Sequence, residues 1–114
     1  MIDSYTNVIY GWKLTGDDVD NFNEEMESVD EDWIDNYQDF FIHDWMCGEY
    51  LYFGAKLGSW DEAEDGGEII VDSKLIQSST NKYNKFIKEF PEVDKVFKKY
   101  TIKEPQLYVM QQKW

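Results

Sequence analysis

Between Asn7 and Phe41 the apolar residues change their spacing, and that change restricts the chain to a mixed helix-and-strand architecture. Over residues 7–14, Val8, Tyr10, Trp12 and Leu14 alternate with Asn7, Ile9, Gly11 and Lys13, the period of a strand. From Val19 onward, Val19, Phe22, Met26, Val29, Trp33, Tyr37, Phe40 and Phe41 recur at steps of three and four, one apolar stripe on a helical surface. Thr15 is placed to cap this helix, with Gly16 at the junction. Ser28 with Glu31 has the spacing of a capping box, which divides the stretch into helices near 17–27 and 31–43.

The remaining elements follow by the same reasoning. Residues 49–60, EYLYFGAKLGSW, read as a second strand, with Leu51, Phe53, Ala55 and Leu57 on one side and Tyr50, Tyr52, Gly54 and Lys56 on the other. DEAEDGGE at 61–68 reads as a turn, and EIIVD at 68–72 as a short third strand. A helix is expected over 79–90, with Tyr83, Phe86, Ile87 and Phe90 facing inward. Pro91 opens a further helical turn carrying Val93, Val96, Phe97 and Tyr100. QLYVMQQKW at 106–114 reads as the last strand. The order β-α-β-β-α-β is that of the split βαβ, ferredoxin-like motif. The expectation is one α+β domain over 1–114, a four-stranded antiparallel sheet with its helices on one face.

A chain of 114 residues with 42% hydrophobic and 18% aromatic residues can bury a core despite its net charge of −13. The single Cys47 allows no intramolecular disulfide and points to a reducing compartment. No apolar run reaches transmembrane length, and MIDSYTNVIYGW has neither the basic flank nor the apolar stretch of a signal peptide. A cytoplasmic protein is expected.

The charge is strongly polarised. Residues 1–72 hold twenty carboxylates against two lysines, Lys13 and Lys56, a formal charge of −18. Residues 73–114 hold nine lysines against four carboxylates, and there is no Arg. Such a field repels nucleic acid and anionic lipid and attracts basic protein surfaces.

No motif names a reaction. His43 and Cys47, four residues apart, could share a helix face, but HDWMC lies among apolar residues, where a thiol is ordinarily inert. Asp61, Asp65, Gly66 and Asp72 fit a calcium loop only in part, since Ala63 replaces a ligand, so a solvated turn is the better reading. No catalytic residue, metal or cofactor is expected, and no enzymatic activity. Tyr10, Trp12, Tyr50, Tyr52 and Tyr108 could line one sheet face, but an RNA-stacking role sits badly with −13 and no Arg.

The informative feature is the acidic side of the first helical stretch. Asp20, Glu24, Glu27, Glu31, Asp35 and Asp39 follow helical spacing, which puts neighbouring acids about 5–6 Å apart. A rigid row of anions can occupy a Lys/Arg groove built for a phosphate backbone. In size, acidity, aromatic content and lack of Arg, and in the segment DDVDNFNEEMESVDEDWIDNYQD, the chain resembles small acidic accessory proteins of bacteriophages. These are of the anti-restriction and anti-CRISPR kind, several of which imitate DNA. The resemblance implies a non-enzymatic inhibitor whose partner is a basic, nucleic-acid-binding protein. The surface expected to bind is Asp20, Glu24, Glu27, Glu31, Asp35 and Asp39, extended by Trp60, Asp61, Glu62, Glu64 and Asp65. The lysine-rich C-terminal third departs from an evenly acidic mimic and leaves one face to do the binding. An immunity or antitoxin role against a basic toxin uses the same charge. A metal-assisted carboxylate enzyme and a phage structural or assembly protein, oligomeric through the aromatic sheet face, are the other readings.

Overall fold

The computed structural model describes residues 4–43, 49–61, 70–101 and 103–113. Its elements are β1 (Ser4–Thr15), α1 (Asp17–Val29), α2 (Trp33–Asn36), a 3-10 turn (Gln38–Phe40), β2 (Phe41–His43), β3 (Tyr50–Asp61), α3 (Ser73–Glu89), α4 (Pro91–Lys98) and β4 (Gln106–Lys113). The four strands form one antiparallel sheet in the order β2-β3-β1-β4. Since β1 and β2 both run antiparallel to β3, they are parallel to each other with β3 between them. In the same way β3 and β4 flank β1. Two interleaved split βαβ units result, so the order β-α-β-β-α-β holds, although its second and third strands are 41–43 and 50–61 where the sequence suggested 49–60 and 68–72.

All the helices pack on one face. There Tyr10, Trp12 and Leu14 of β1 and Leu51, Phe53 and Ala55 of β3 meet Val19, Phe22 and Met26 of α1, Trp33 of α2, Tyr83 and Phe86 of α3, and Val93, Val96 and Phe97 of α4. Phe22 is fully buried at the centre of an aromatic cluster, with ring centroids 5.3 Å from Phe53, 5.6 Å from Phe97, 5.5 Å from Tyr100 and 5.9 Å from Trp33. Rings at these separations contribute beyond the area they bury. The opposite face carries a smaller cluster of Ile9, Ile42 and Tyr52, flanked by Tyr50, Tyr108 and Met110. The expected single aromatic face is therefore split. Alternation sends Tyr10 and Trp12 toward the helices and the three tyrosines Tyr50, Tyr52 and Tyr108 the other way.

The sheet departs from simple alternation near the middle of β1. Val8 pairs with Gly58 and Ile9 with Lys56, so Leu57 is an extra residue in β3 and belongs to neither cluster. Further along, Gly11 pairs with Gly54. Gly54 has φ +139, and a Cβ there would lie 2.7 Å from the Tyr10 carbonyl oxygen. Two glycines let the central strands approach where side chains would collide.

Several local expectations are corrected. The helix expected over 31–43 is one turn of α2, a 3-10 turn and the short strand β2. FIH at 41–43 pairs with Leu51, Tyr52 and Phe53, because Phe41 and Ile42 can each bury on opposite faces only in an extended chain. Residues 70–72 of the expected strand 68–72 are not strand, and 68–69 lie outside the described residues. Instead Asp72 caps α3, its Oδ1 accepting from the Leu75 N–H at 2.9 Å, and the helix begins six residues earlier than expected. Thr15 ends β1, and the cap of α1 is Gly16 at φ 61, without a side-chain bond. Ser28 does not cap either, since its hydroxyl donates to the Glu25 carbonyl, 2.7 Å away, inside α1.

Candidate acidic interaction surface

α1 is amphipathic because Val19, Phe22 and Met26 bury against the sheet, which turns Asp20, Glu24 and Glu27 outward. All three are exposed. With Asp17 they form a row carrying one acid per roughly 5 Å of helical rise. Asp17, Asp18 and Asp20 also occupy the first turn, where carboxylates favour the positive end of the helix dipole.

The row does not continue as a straight helix. Asp30 adopts an extended conformation, φ −156 and ψ 115, and closes α1. Its Oδ1 accepts from the Asp32 N–H at 2.9 Å, and its Oδ2 accepts from the Asn36 side-chain amide at 2.8 Å. These bonds, first that of Asn36 and then that of Asp32, hold the Asp30 carboxyl below the usual aspartate range. They also fix the bend that places Glu31 and Asp35 on the following turn and on α2, both exposed.

The chain's own lysines take two acids out of the surface. Lys82 Nζ lies 3.1 Å from Asp39 Oδ2, and Lys56 also feels the Asp39 charge. Lys99 Nζ lies 2.6 Å from Glu25 Oε1, while the Tyr100 hydroxyl donates to Glu25 Oε2 at 2.8 Å. The Lys99 bond is the main reason that the Glu25 carboxyl is held below the ordinary glutamate range. Lys95 and Lys98 pair within α4, with Glu92 at 3.7 Å and Asp94 at 3.0 Å. Among the described residues no lysine pairs with Asp20, Glu24, Glu27, Glu31 or Asp35.

The other expected site residues divide. Trp60 and Asp61 form the end of β3, opposite Thr6 and Tyr5 of β1. Glu62, Glu64 and Asp65 lie outside the described residues, as do Cys47 and most of the 61–72 calcium candidate. His43 falls in β2, so the helical His43–Cys47 spacing does not apply. Among the described residues no three His, Cys, Asp or Glu side chains are grouped to hold a metal ion. No described helix is long and apolar enough to cross a membrane.

A cleft of about 570 Å³, which no local pattern of residues announces, lies between the end of β1, the end of α4 and the start of β4. It brings together Trp12, Lys13, Lys99, Tyr100 and Lys103, residues far apart in the chain, and Trp12 Nε1 donates to the Lys103 carbonyl at 2.6 Å. Asp18 and Glu104 share it, so its charge is mixed.

No protein-family model and no solved structure matches the chain. Among curated proteins it is similar to the valine–tRNA ligase of Mesoplasma florum (strain ATCC 33453 / NBRC 100688 / NCTC 11704 / L1), 26% identical over 80 residues. That match takes in 70% of this chain and 9% of the ligase, so the chain spans a small fraction of the relative's length.

Proposed function

We propose that this protein is a non-enzymatic inhibitor that sets its acidic helical face into the basic nucleic-acid-binding groove of a nuclease or defence protein. One observation carries the reading. Asp20, Glu24, Glu27, Glu31 and Asp35 stand exposed along α1, α2 and the turn between them, and among the described residues none has a lysine partner, although the chain has eleven lysines. Leaving five like charges unneutralised on adjoining turns costs folding free energy. A cationic groove recovers that cost on binding, as counterions leave both surfaces. Asp39, paired to Lys82, is left out of the working surface, and the bend at Asp30 lets the acids follow a curved groove.

The experiment is capture from a bacterial host lysate at rising salt, followed by elution with duplex DNA or RNA. Release of a basic nucleic-acid-binding protein by nucleic acid supports groove occupancy. A captured partner that nucleic acid does not displace points to the immunity or antitoxin reading, in which the same acids recognise a protein surface.

A further inference from the structure

β4 is an edge of the sheet. It pairs with β1, and among the described residues no strand lies on its other side. The helices leave it uncovered. On the helical face Leu107 is 43% exposed and Val109 63%, while Val8, which pairs with Val109, is fully buried. Edge strands are commonly protected by charge, shortness or proline. Here Pro105 precedes the strand, and the run QLYVMQQ at 106–112 contains no Asp, Glu, Lys or Arg.

A molecule of net charge −13 repels its own copies wherever it presents its acids. A basic partner is drawn to α1 and α2 rather than to β4, whose single charged residue is Lys113 at its end. The stretch 106–112 is an uncharged edge along which two copies can approach, and its sequence is self-complementary. We infer that β4 pairs antiparallel with β4 of a second copy about a two-fold axis at Tyr108. The sheet then continues across both copies, with all helices on one face. In this register Leu107 stands opposite Val109 of the second copy, twice over, and Tyr108 opposite its counterpart. Opposed residues of an antiparallel pair point to the same face, so four exposed aliphatic side chains come together. An axis at Val109 would set Leu107 against Gln111, and an axis at Leu107 would set Val109 against Pro105, so neighbouring registers lose the match.

Light scattering and sedimentation of the full chain, up to millimolar concentration, test this. A concentration-dependent dimer is expected, and Leu107→Lys and Val109→Lys should each weaken it roughly tenfold or more. Neither should change the thermal midpoint of the monomer, because both side chains are exposed. In a Cys47→Ser background, mild oxidation of the Leu107→Cys/Val109→Cys variant should give an interchain disulfide, and Val109→Cys alone should not. A chain that stays monomeric throughout, a dimer indifferent to both lysine substitutions, or efficient cross-linking of Val109→Cys alone would overturn the inference.

Discussion

The ammonium of Lys99, at the C-terminal end of α4, lies 2.6 Å from the carboxylate of Glu25 in the middle of α1, joining segments 74 residues apart. Glu25 is thereby a structural acid, whereas its neighbour Glu24 faces outward. Glu25→Gln should cost about 1 kcal/mol or less at neutral pH, because Lys99 is largely exposed. The sign of its pH dependence follows from the depressed carboxyl. The contribution is present above the ordinary glutamate range and is lost as pH falls through the folded-state value. Urea denaturation should therefore separate wild type from variant at neutral pH and bring them together in acid.

Tyr100 reports on the same junction from the alkaline side. Burial first, then the bond to Glu25 and the negative charge around it, push its hydroxyl up to about 12. Folding thus favours the protonated phenol. That contribution is complete below the unfolded value of about 10 and is lost as pH rises from there to about 12. Tyr100→Phe should flatten this alkaline loss, measured as thermal midpoint against pH.

Gly54 is set by backbone geometry alone. With φ +139 and Tyr10 and Gly11 backbone atoms within 2.8 Å of an added Cβ, Gly54→Ala should cost roughly 2–4 kcal/mol. Chemical denaturation provides the number, and a loss under about 0.5 kcal/mol would show that β1 and β3 do not approach as described.

Asp72 tests the start of α3. Asp72→Ala should cost about 1 kcal/mol and lower helical content, whereas Asp72→Asn should retain most of the stability. Had EIIVD been a strand, the two variants would behave alike.

What could be read from residues alone was set by periodicity. The alternation of Tyr10, Trp12 and Leu14 and the stripe Val19, Phe22, Met26 specify their elements, because each pattern buries one face only in one conformation. The run Trp33 to Phe41 also keeps helical spacing, yet the chain extends at Phe41 and Ile42. Strand pairing with β3 outweighed a local preference there, and no local signal announces it. The start of α3 was legible in principle, as Asp72 stands three residues before Leu75, but the β-branched run Ile69, Ile70, Val71 masked it. For the acidic surface, spacing identified Asp20, Glu24 and Glu27 as outward-facing. It did not reveal that Lys82 would reach Asp39 across 43 residues, since such a pairing depends on how α3 lies against the 3-10 turn.

The most direct measurement takes the partner captured by the wild-type chain and compares its affinity for wild type with that for Asp20→Asn/Glu24→Gln/Glu27→Gln, at low and high salt and with duplex DNA as competitor. A loss of at least tenfold in the triple variant, a shallower salt dependence and displacement of the wild type by DNA are expected. Equal affinity of variant and wild type, with the same slope against salt, would contradict groove occupancy.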